Sequence, residues 1–321
     1  MTLSETELIS RFFRSCGAQR RDVALGVGDD AALLECPPGM QLVAATDTLV
    51  AGVHFPPTVP AAAIGHRALA VNLSDLAAMG ARPAWALLAL TLPQAEERWL
   101  EEFAAGLGRL ARAHEVALVG GDTTRGPLCI SLQLLGHVPA GRALTRSGGR
   151  PGDLVFVSGT PGDAAAGLRL EQGALSAPAE ASPYLRERFL LPTPRVALGE
   201  RLREHASACI DVSDGLLGDA GKLAAASGTG LEIQFAELPV SRPLAQTLGS
   251  DAARELALTG GDDYELCFSV APERLAQLER ELTPAQWSYR RIGVLRAAPG
   301  VVVMRGGTVM EFSHSGYQHF G

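Results

Sequence analysis

The chain has 321 residues, of which 47% are hydrophobic and 20% charged, so it can bury a sizeable core and its length predicts two domains. Its 28 lysine and arginine residues against 35 aspartate and glutamate residues give a net charge of −7, which excludes the basic surface typical of nucleic-acid binding. Five scattered cysteines without CxxC spacing argue against a disulfide framework or a zinc site. No run of eighteen apolar residues and no signal peptide is found, so we expect a cytoplasmic protein without a membrane partner.

The first acidic positions follow glycines and an apolar strand. Residues 26–33 place two glycines before Asp29 and Asp30, which predicts a tight turn with carboxylates at its rim. The apolar run 42–45 is typical of a buried strand and is followed by Asp47, a carboxylate that is costly there unless a cation or donor meets it. His54 comes seven residues later, before two prolines that prevent a helix. The simpler interpretation of this stretch is a strand, a capping aspartate and a loop histidine.

The rest of the first half predicts alternating helices and strands. The segment 61–79 reads as a helix closed by Gly80, and Asn72 and Asp75 lie on one face of it because they are three residues apart. A second glycine-flanked acid, Asp122, is predicted just beyond the end of a buried strand. The other predicted elements are a strand at 85–92, a helix at 95–114, a strand at 116–119 and a strand at 128–138.

The composition shifts toward glycine, arginine and serine at 139–152, so we expect the N-terminal domain at 1–140 and the C-terminal domain at 148–321. A strand at 154–158, a glycine turn and a helix at 164–171 form an anion cradle in principle. The cradle lacks the Gly-Lys-Ser/Thr of a P-loop. A mobile excursion is expected at 170–183. Further elements are predicted as a helix at 195–205, a strand leading to 211, a helix ending near 226, a strand at 231–235, helices at 252–258 and 272–282, a strand at 264–270 and two terminal strands.

Two short segments of the first half recur in the second half. Residues 72–76 resemble 211–216, and residues 120–123 resemble 260–263, in the same order and at nearly the same separation. This repetition predicts two related α/β halves, each offering a helix with polar groups three apart and a glycine-flanked acid.

Several carboxylates that converge cannot all ionise together without cations. Carboxylates with threonine hydroxyls and no histidine or cysteine select a hard ion, Mg²⁺ or Mn²⁺, and Mg²⁺ commonly shares phosphate oxygens with a substrate. A nucleoside triphosphate is therefore the natural partner, and Arg125 and Arg146 are candidate phosphate ligands. The alternative for any single aspartate is a helix cap.

No serine–histidine–aspartate arrangement is suggested. Phosphoryl transfer depends mainly on positioning and charge neutralisation, so it needs little covalent help from the protein. An acceptor that is itself a phosphate, with a second pKa of about 6, is mostly a dianion at neutral pH and needs no general base. We therefore expect no dedicated catalytic base.

Seven segments, spread in order over nearly the whole chain, carry a family resemblance: GVGDDAA (26–32), TDTLVAGVHF (46–55), NLSDLAAMGA (72–81), VGGDTT (119–124), LTRSG (144–148), DVSDGL (211–216) and GDDYEL (261–266). Together they closely resemble the bacterial thiamine-monophosphate kinases, in the aminoimidazole ribonucleotide synthetase-like superfamily. The resemblance implies two related α/β domains of the α+β type, with the N-terminal domains pairing in a homodimer. It also implies ATP-dependent phosphorylation of thiamine phosphate to thiamine diphosphate, the final step of thiamine diphosphate synthesis.

The resemblance further implies which residues bind each ligand. The positions implied for several Mg²⁺ ions are Asp30, Thr46, Asp47, Asp75, Asp122, Asp211 and Asp214. Those implied for ATP are Gly121, Asp122, Arg146 and Ser213, and those implied for thiamine phosphate are His54, Asp262 and Tyr317. In this assignment the N-terminal domain binds Mg²⁺ and ATP and forms the dimer, and the C-terminal domain completes the nucleotide and substrate site.

Two departures from the family pattern bear on this assignment. Ala45 stands where relatives can carry a metal-contacting serine, and Asp262 stands where a longer glutamate is common. The aromatic ring of Tyr317 suits stacking on a cationic thiazolium or a pyrimidine, although a C-terminal aromatic can also simply anchor the tail. We expect the acids of both halves to meet in one cleft.

Two other functions remain open from the sequence. One is a related ATP-dependent synthetase acting on another substrate, such as a formylglycinamidine ribonucleotide, which residues 54–55 and the tail disfavour. The other is a non-catalytic magnesium or nucleotide sensor.

Overall fold

The computed structural model describes residues 5–319, and for residues 5 and 6 the backbone alone. The chain divides into two compact units. Within the described residues, the first unit extends to Leu76 and resumes over Ala81–Arg142, and the second comprises Ala77–Gly80 and the chain from Ala143 onward. No helix in the described part of the chain is long and apolar enough to cross a membrane.

The first unit is built on a four-stranded sheet in the order β3-β6-β4-β5. Strands β4 and β5 run parallel, and the other neighbours in this sheet run antiparallel. Strands β1 and β2 form a separate small pair. The strands are β1 (Val23–Leu25), β2 (Leu33–Leu34), β3 (Met40–Val50), β4 (Arg82–Leu92), β5 (Ala117–Arg125) and β6 (Cys129–Pro139). The helices are α1 (Glu5–Leu8), a π-helical turn (Ile9–Phe13), α2 (Ala61–Ala78) and α3 (Glu97–Ala113).

Alternation along β4 separates a buried face from a half-buried one. Leu88 and Leu90 are at most 4% exposed, whereas Leu87 and Ala89, which alternate with them, are only half-buried. This is the pattern expected of a strand with its core on one side. Helices α2 and α3 approach so closely that a Cβ on Gly106 would overlap the α2 backbone, so glycine is required there.

The second unit contains a seven-stranded sheet in the order β13-β12-β9-β11-β7-β10-β8, in which only the β9–β12 neighbours are parallel. Its strands are β7 (Leu154–Ser158), β8 (Ala208–Val212), β9 (Gly230–Gln234), β10 (Glu265–Val270), β11 (Tyr289–Arg296), β12 (Gly300–Arg305) and β13 (Thr308–Met310). Its helices are α4 (Asp163–Glu171), α5 (Ser182–Leu190), α6 (Val196–Leu202), α7 (Leu216–Ala226), α8 (Arg242–Leu248), α9 (Ser250–Thr259), α10 (Leu275–Glu281) and α11 (Pro284–Trp287). Leu216 and Leu223 of α7 pack with Val157 and Ile210 in an apolar cluster of this unit.

The structure confirms the helix predicted at 61–79 and the strand predicted at 154–158. It corrects the placement of two acids, because β3 and β5 continue through Asp47 and Asp122 instead of ending before them. Asp47 pairs with Leu132 of β6, and Asp122 pairs with Ala89 of β4. Backbone hydrogen bonds extend a strand whatever the polarity of its side chains. Strand β3 is also an edge strand with mostly exposed residues, not the buried strand expected.

Helices α5, α8 and the four-residue α11 were missed, and the end of the chain contains one more strand than expected. Helix α5 starts within the predicted excursion, and α8 lies in a stretch that was left unassigned. Leu185 and Phe189 of α5 are fully buried, so this helix belongs to the core. Strands β11, β12 and β13 replace the two terminal strands.

The internally repeated segments adopt different structures. Residues 72–76 lie inside α2, whereas 211–215 comprise the end of β8 and the turn that follows it. Residues 120–123 lie in β5, whereas 260–263 form an irregular loop. The local sequence match therefore does not mark equivalent elements.

Candidate functional site

Asp47 and Asp75 form a pair of contacting carboxyl groups in the first unit. Asp47 lies in β3, and Asp75 lies one helical turn from the end of α2. Burial raises the pKa of Asp47, and a side-chain hydrogen bond with Asp75 acts in the opposite direction. Two carboxyl groups in contact must share a proton or a cation. This pair therefore fits a hard metal ion.

Asp30 and Asp122 line a second feature of the same unit, a cavity of about 860 Å³. Gly121 and Gln133 also line it, together with residues of the π-helical turn. Asp29 carboxylate Oδ1 accepts a hydrogen bond from the Asp30 amide at 2.8 Å, which shapes the glycine turn. The four aspartates assigned to metal in this unit thus fall into two pairs, which are Asp47 with Asp75 and Asp30 with Asp122.

Among the described residues, no three acidic, histidine or cysteine side chains are placed to hold a metal ion on their own. The expectation that the acids of both halves converge stays a prediction.

His54 is held in place directly after β3. Its Nδ1 accepts a hydrogen bond from the backbone N–H of Val50 at 3.0 Å, so the neutral ring carries its proton on Nε2. Thr46 is exposed on β3, and Ala45 beside it is half-buried with no polar side-chain atom to offer. The histidine is therefore oriented in advance, with its donor on the side away from the backbone.

In the second unit, a buried carboxylate fixes the turn between β8 and α7. Asp219, 1% exposed, accepts three consecutive backbone hydrogen bonds on Oδ2, from the N–H groups of Ser213, Asp214 and Gly215, at 3.0, 3.0 and 3.1 Å. Its other oxygen, Oδ1, accepts from Lys222 Nζ at 2.8 Å. Gly215 has φ +140°, and a Cβ there would crowd the backbone of Thr259. This arrangement fixes the backbone of the turn that carries Ser213 and Asp214.

A strained loop is attached to that turn. Asp262 and Tyr264 have φ +70° and +53°, a conformation that costs of order 1–3 kcal/mol for each residue. Their N–H groups both donate at 2.8 Å, that of Asp262 to the carbonyl of Ser213 and that of Tyr264 to the carbonyl of Val212. The Tyr264 hydroxyl donates to Asp262 Oδ1 at 3.2 Å. The loop thus presents a half-buried carboxylate beside Ser213.

The neighbouring Asp263 has a structural role instead. Its fully buried carboxyl accepts hydrogen bonds from the N–H groups of Gly162 at 2.7 Å and Ala164 at 3.2 Å. Burial raises its pKa well above the usual range, and the Gly162 bond opposes that shift. The anion cradle predicted before α4 is therefore filled by the chain's own Asp263, which leaves Asp262 as the acid available to a ligand.

The C-terminal tail crosses the same turn. The N–H of Tyr317 donates to the carbonyl of Asp214 at 3.0 Å, and Gly316 packs against that carbonyl too closely for a Cβ. The Tyr317 side chain is 50% exposed, and its ring lies edge-on to that of His319 at 4.9 Å. Because half of the side chain faces solvent, it is not a core anchor. Ser213, Asp214, Asp262 and Tyr317 are thus brought together around one turn.

The remaining assigned positions in this unit are Arg146 and Asp211. Arg146 is exposed, and its carbonyl accepts a hydrogen bond from the Ser227 hydroxyl at 3.0 Å. Asp211 is 5% exposed in β8, paired in register with Leu266 of β10. Sequence reasoning missed Asp219 and Lys222. The available signal was that Lys222 is the only lysine in the chain.

Comparison with known proteins places the chain in a family. Residues 28–138 match the model of the AIR synthase related protein N-terminal domain, and residues 150–305 match that of the corresponding C-terminal domain. The thiamine-monophosphate kinase of Escherichia coli K12 is 47% identical over 322 aligned residues, covering 100% of this chain and 99% of that protein. The chain belongs to the thiamine-monophosphate kinase family. The resemblance stated from the sequence is thereby confirmed.

Solved structures agree with this assignment. The thiamine-monophosphate kinase of Stenotrophomonas maltophilia K279a is 51% identical with a TM-score of 0.84, covering 89% of this chain and 92% of that one. AaThiL complexed with AMPPCP and TMP is 34% identical with a TM-score of 0.79, covering 92% of each chain. The hydrogenase maturation protein HypE of E. coli, 23% identical with a TM-score of 0.76 and covering 96% of each chain, shares the fold. The α/β class with two domains of the aminoimidazole ribonucleotide synthetase type is confirmed.

Proposed function

We propose that this chain catalyses the ATP-dependent phosphorylation of thiamine phosphate to thiamine diphosphate, the final step of thiamine diphosphate synthesis. The observation that carries this function is the full-length identity of 47% to a thiamine-monophosphate kinase. A relative at 34% identity has been solved with AMPPCP and TMP. The turn that gathers Ser213, Asp214, Asp262 and Tyr317 is consistent with it, because the family resemblance assigns these residues to nucleotide, metal and substrate.

The metal is proposed to be Mg²⁺, in several ions. When bound, it would neutralise phosphate oxygens that otherwise repel each other. The contacting carboxyls of Asp47 and Asp75 support this choice, and so does the ammonium cation already seated on Asp214. The proposed ligands are Asp30, Thr46, Asp47, Asp75, Asp122, Asp211 and Asp214.

The nucleotide and substrate are assigned to further residues of both units. Gly121, Asp122, Arg146 and Ser213 are proposed for ATP. His54, Asp262 and Tyr317 are proposed for thiamine phosphate, with the half-exposed Tyr317 ring offering a face to its cationic thiazolium. The acceptor phosphate is largely a dianion at neutral pH, so these residues position it and no base is needed.

The roles of the two domains, the oligomeric state and the cellular location are also proposed. We assign Mg²⁺ binding, ATP binding and dimerisation to residues 1–140, and completion of the nucleotide and substrate site to residues 148–321. A homodimer in the cytoplasm is expected from the family.

The test is chromatography of thiamine phosphate incubated with ATP, Mg²⁺ and the purified protein. Thiamine diphosphate should accumulate with a matching amount of ADP, and omission of Mg²⁺ or addition of a chelator should stop it. ADP release with a formylglycinamidine ribonucleotide, and none with thiamine phosphate, would instead identify a related synthetase. ATP binding without any product would identify a sensor.

A further inference from the structure

The single lysine of this chain lies at the functional turn. All the other positively charged side chains among its 28 lysine and arginine residues are arginines. Lysine occurs at residue 222 alone, and arginine occupies all the remaining positions of this kind. An ammonium is a compact point charge on a flexible stem, whereas a guanidinium is a planar fork that grips a carboxylate with two bonds. Lysine at residue 222 therefore supplies a cation that is held to a carboxylate less rigidly than an arginine would be.

Lys222 bridges two carboxylates of very different character. Its Nζ lies 2.6 Å from Asp214 Oδ2 and 2.8 Å from Asp219 Oδ1. The Asp219 side chain is 2% exposed and is locked by three backbone amides, whereas the side chains of Asp214 and Lys222 are 40% and 48% exposed. The contact with Asp219 is thus a fixed tether, and the contact with Asp214 can be exchanged at the surface.

The charges at the turn favour such an exchange. The Lys222 side chain is 48% exposed and its amine contacts two carboxylates, so it is an ammonium ion. Two carboxylates and one ammonium leave a single net negative charge. Removing the ammonium would leave two, which attracts a divalent cation more strongly.

We propose that Lys222 is the resident counter-cation of Asp214, which it yields to a divalent metal ion while it stays tethered to Asp219. Lys222 is then a positioning residue that keeps Asp214 oriented before metal arrives and weakens metal binding at that carboxylate. The proposal rests on the assignment of Asp214 as a metal ligand under the proposed function.

Because there is one lysine, its side chain can be observed without interference. Protein labelled with ¹³C at lysine Cε should give one signal, and adding Mg²⁺ without nucleotide should shift that signal along a saturable curve. Acylation of Lys222 by an amine-reactive ester, measured by mass spectrometry against the chain's α-amine, should speed up about two- to fivefold as the exposed ion pair is released. Asp214→Asn is the matched control, in which Mg²⁺ should no longer change either reading. Calorimetric binding of Mg²⁺ with no change at Lys222 would overturn the proposal.

Metal affinity gives the second test. Lys222→Met should bind Mn²⁺ about three- to tenfold more tightly than the unaltered chain, because one unit charge no longer opposes a divalent ion. Lys222→Arg should bind it more weakly, since the guanidinium holds Asp214 by two bonds. Arg290→Met also removes one cation, from an ion pair of exposed side chains, and should leave the affinity unchanged.

Equal Mn²⁺ affinity for the unaltered chain and the folded Lys222→Met variant would overturn the proposal even if thiamine diphosphate is formed. Absence of thiamine diphosphate with the expected affinity change would instead count against the kinase assignment alone. A chain that binds no divalent ion would overturn the role of Lys222.

Discussion

Single side chains set the geometry of the functional turn. One oxygen of Asp219 accepts three successive N–H groups, and Asp219 has almost no contact with solvent. Charge-assisted hydrogen bonds of this kind are roughly twice as strong as neutral ones. The turn that carries Ser213 and Asp214 therefore depends on a residue that need not touch a ligand itself.

Removal of the Asp219 carboxylate should destabilise the fold strongly. Asp219→Ala leaves three N–H groups without their acceptor, that of Gly215 being buried, and removes one of the two carboxylates that contact Lys222, so we expect the free energy of unfolding to fall by about 3 kcal/mol. Denaturant unfolding measures this. The control is Asp251→Ala, which breaks ion pairs of exposed or partly exposed side chains and should cost less than about 1 kcal/mol. Equal losses in the two variants would refute the role of Asp219.

Asp47→Ala should abolish thiamine diphosphate formation and leave the fold intact. Asp47 and Asp75 are in contact and burial disfavours charge on Asp47, so removing one carboxyl relieves a repulsion and costs little stability. The measurement is the chromatographic assay together with thermal unfolding. Glu102→Ala, on the surface of α3, should keep the activity of the unaltered chain. An Asp47→Ala enzyme with normal turnover would remove Asp47 from the site.

At the scale of elements, three segments meet at one buried carboxylate. Glu265 starts β10 directly after the strained loop and is fully buried. It accepts hydrogen bonds from Arg188 of α5 at 2.8 Å and from Arg195, just before α6, at 2.6 Å to each oxygen. The Ser158 hydroxyl at the end of β7 donates to it as well. These bonds fix where the loop that carries Asp262 leaves the sheet.

Removing one arginine from this cluster should lower the free energy of unfolding. Arg195→Leu leaves the buried charge of Glu265 with a single arginine, and we expect a loss of roughly 3 kcal/mol in the free energy of unfolding. The double variant Arg195→Leu with Glu265→Gln removes the unpaired charge and should recover part of that loss. Arg290→Leu, from an exposed pair, should stay within about 1 kcal/mol of the unaltered chain. A loss no larger than that of Arg290→Leu would show that the cluster is not an anchor.

The same cluster predicts an acid-dependent stability. Burial alone would raise the pKa of Glu265, but Arg195 and Arg188 hold it below the ordinary value. Its stabilising contribution is therefore fully present above the pKa of an unfolded glutamate, about 4.3, and is lost as the pH falls through the folded pKa. Between about pH 5.5 and 3.5 the unaltered chain should lose more stability than Glu265→Gln. If the free energy of unfolding of the two proteins fell equally over this pH range, the lowered pKa of Glu265 would be contradicted.

Elements with a strong apolar pattern could be predicted, and those fixed by distant partners could not. Strand β7 and helix α7 match their predictions because their side chains alone bury a continuous apolar surface. Helix α5 was missed because its short sequence mixes polar and apolar residues without a clear pattern, and its place is set by Leu185 and Phe189 packing in the core. The continuation of β5 through its glycines depends on pairing with β4, which no local pattern reveals.

For the candidate site, the sequence could predict which residues belong to it but not how they are arranged. Residue identities followed from the family resemblance. Their geometry did not, because it rests on partners far apart in sequence. Asp263 is held by amides about a hundred residues away, and the positive φ of Asp262 is imposed by bonds to the preceding strand and turn. Sequence alone therefore could not separate Asp262 from Asp263.

At the scale of the whole molecule, the first unit exposes apolar side chains on two of its strands. Leu42 in β3 is 54% exposed and Leu33 in β2 is 59% exposed. Large contiguous apolar patches mark surfaces that bind another protein, and these two leucines make the first unit a candidate for such a surface. The homodimer expected from the family would cover it, since the N-terminal domains are expected to pair.

Leu42→Asp should therefore convert the protein to a monomer. A charge placed in an apolar interface must be desolvated without a partner, which costs several kcal/mol and is counted twice in a symmetric dimer. Sedimentation equilibrium over a range of concentrations measures the result. Val309→Asp is a matched control, because Val309 is equally exposed at 54% but lies in the second unit, and it should sediment as the unaltered chain does. Dimers that persist in Leu42→Asp, or dissociate in Val309→Asp, would place the interface elsewhere, and an unaltered chain that is monomeric throughout would rule out the homodimer.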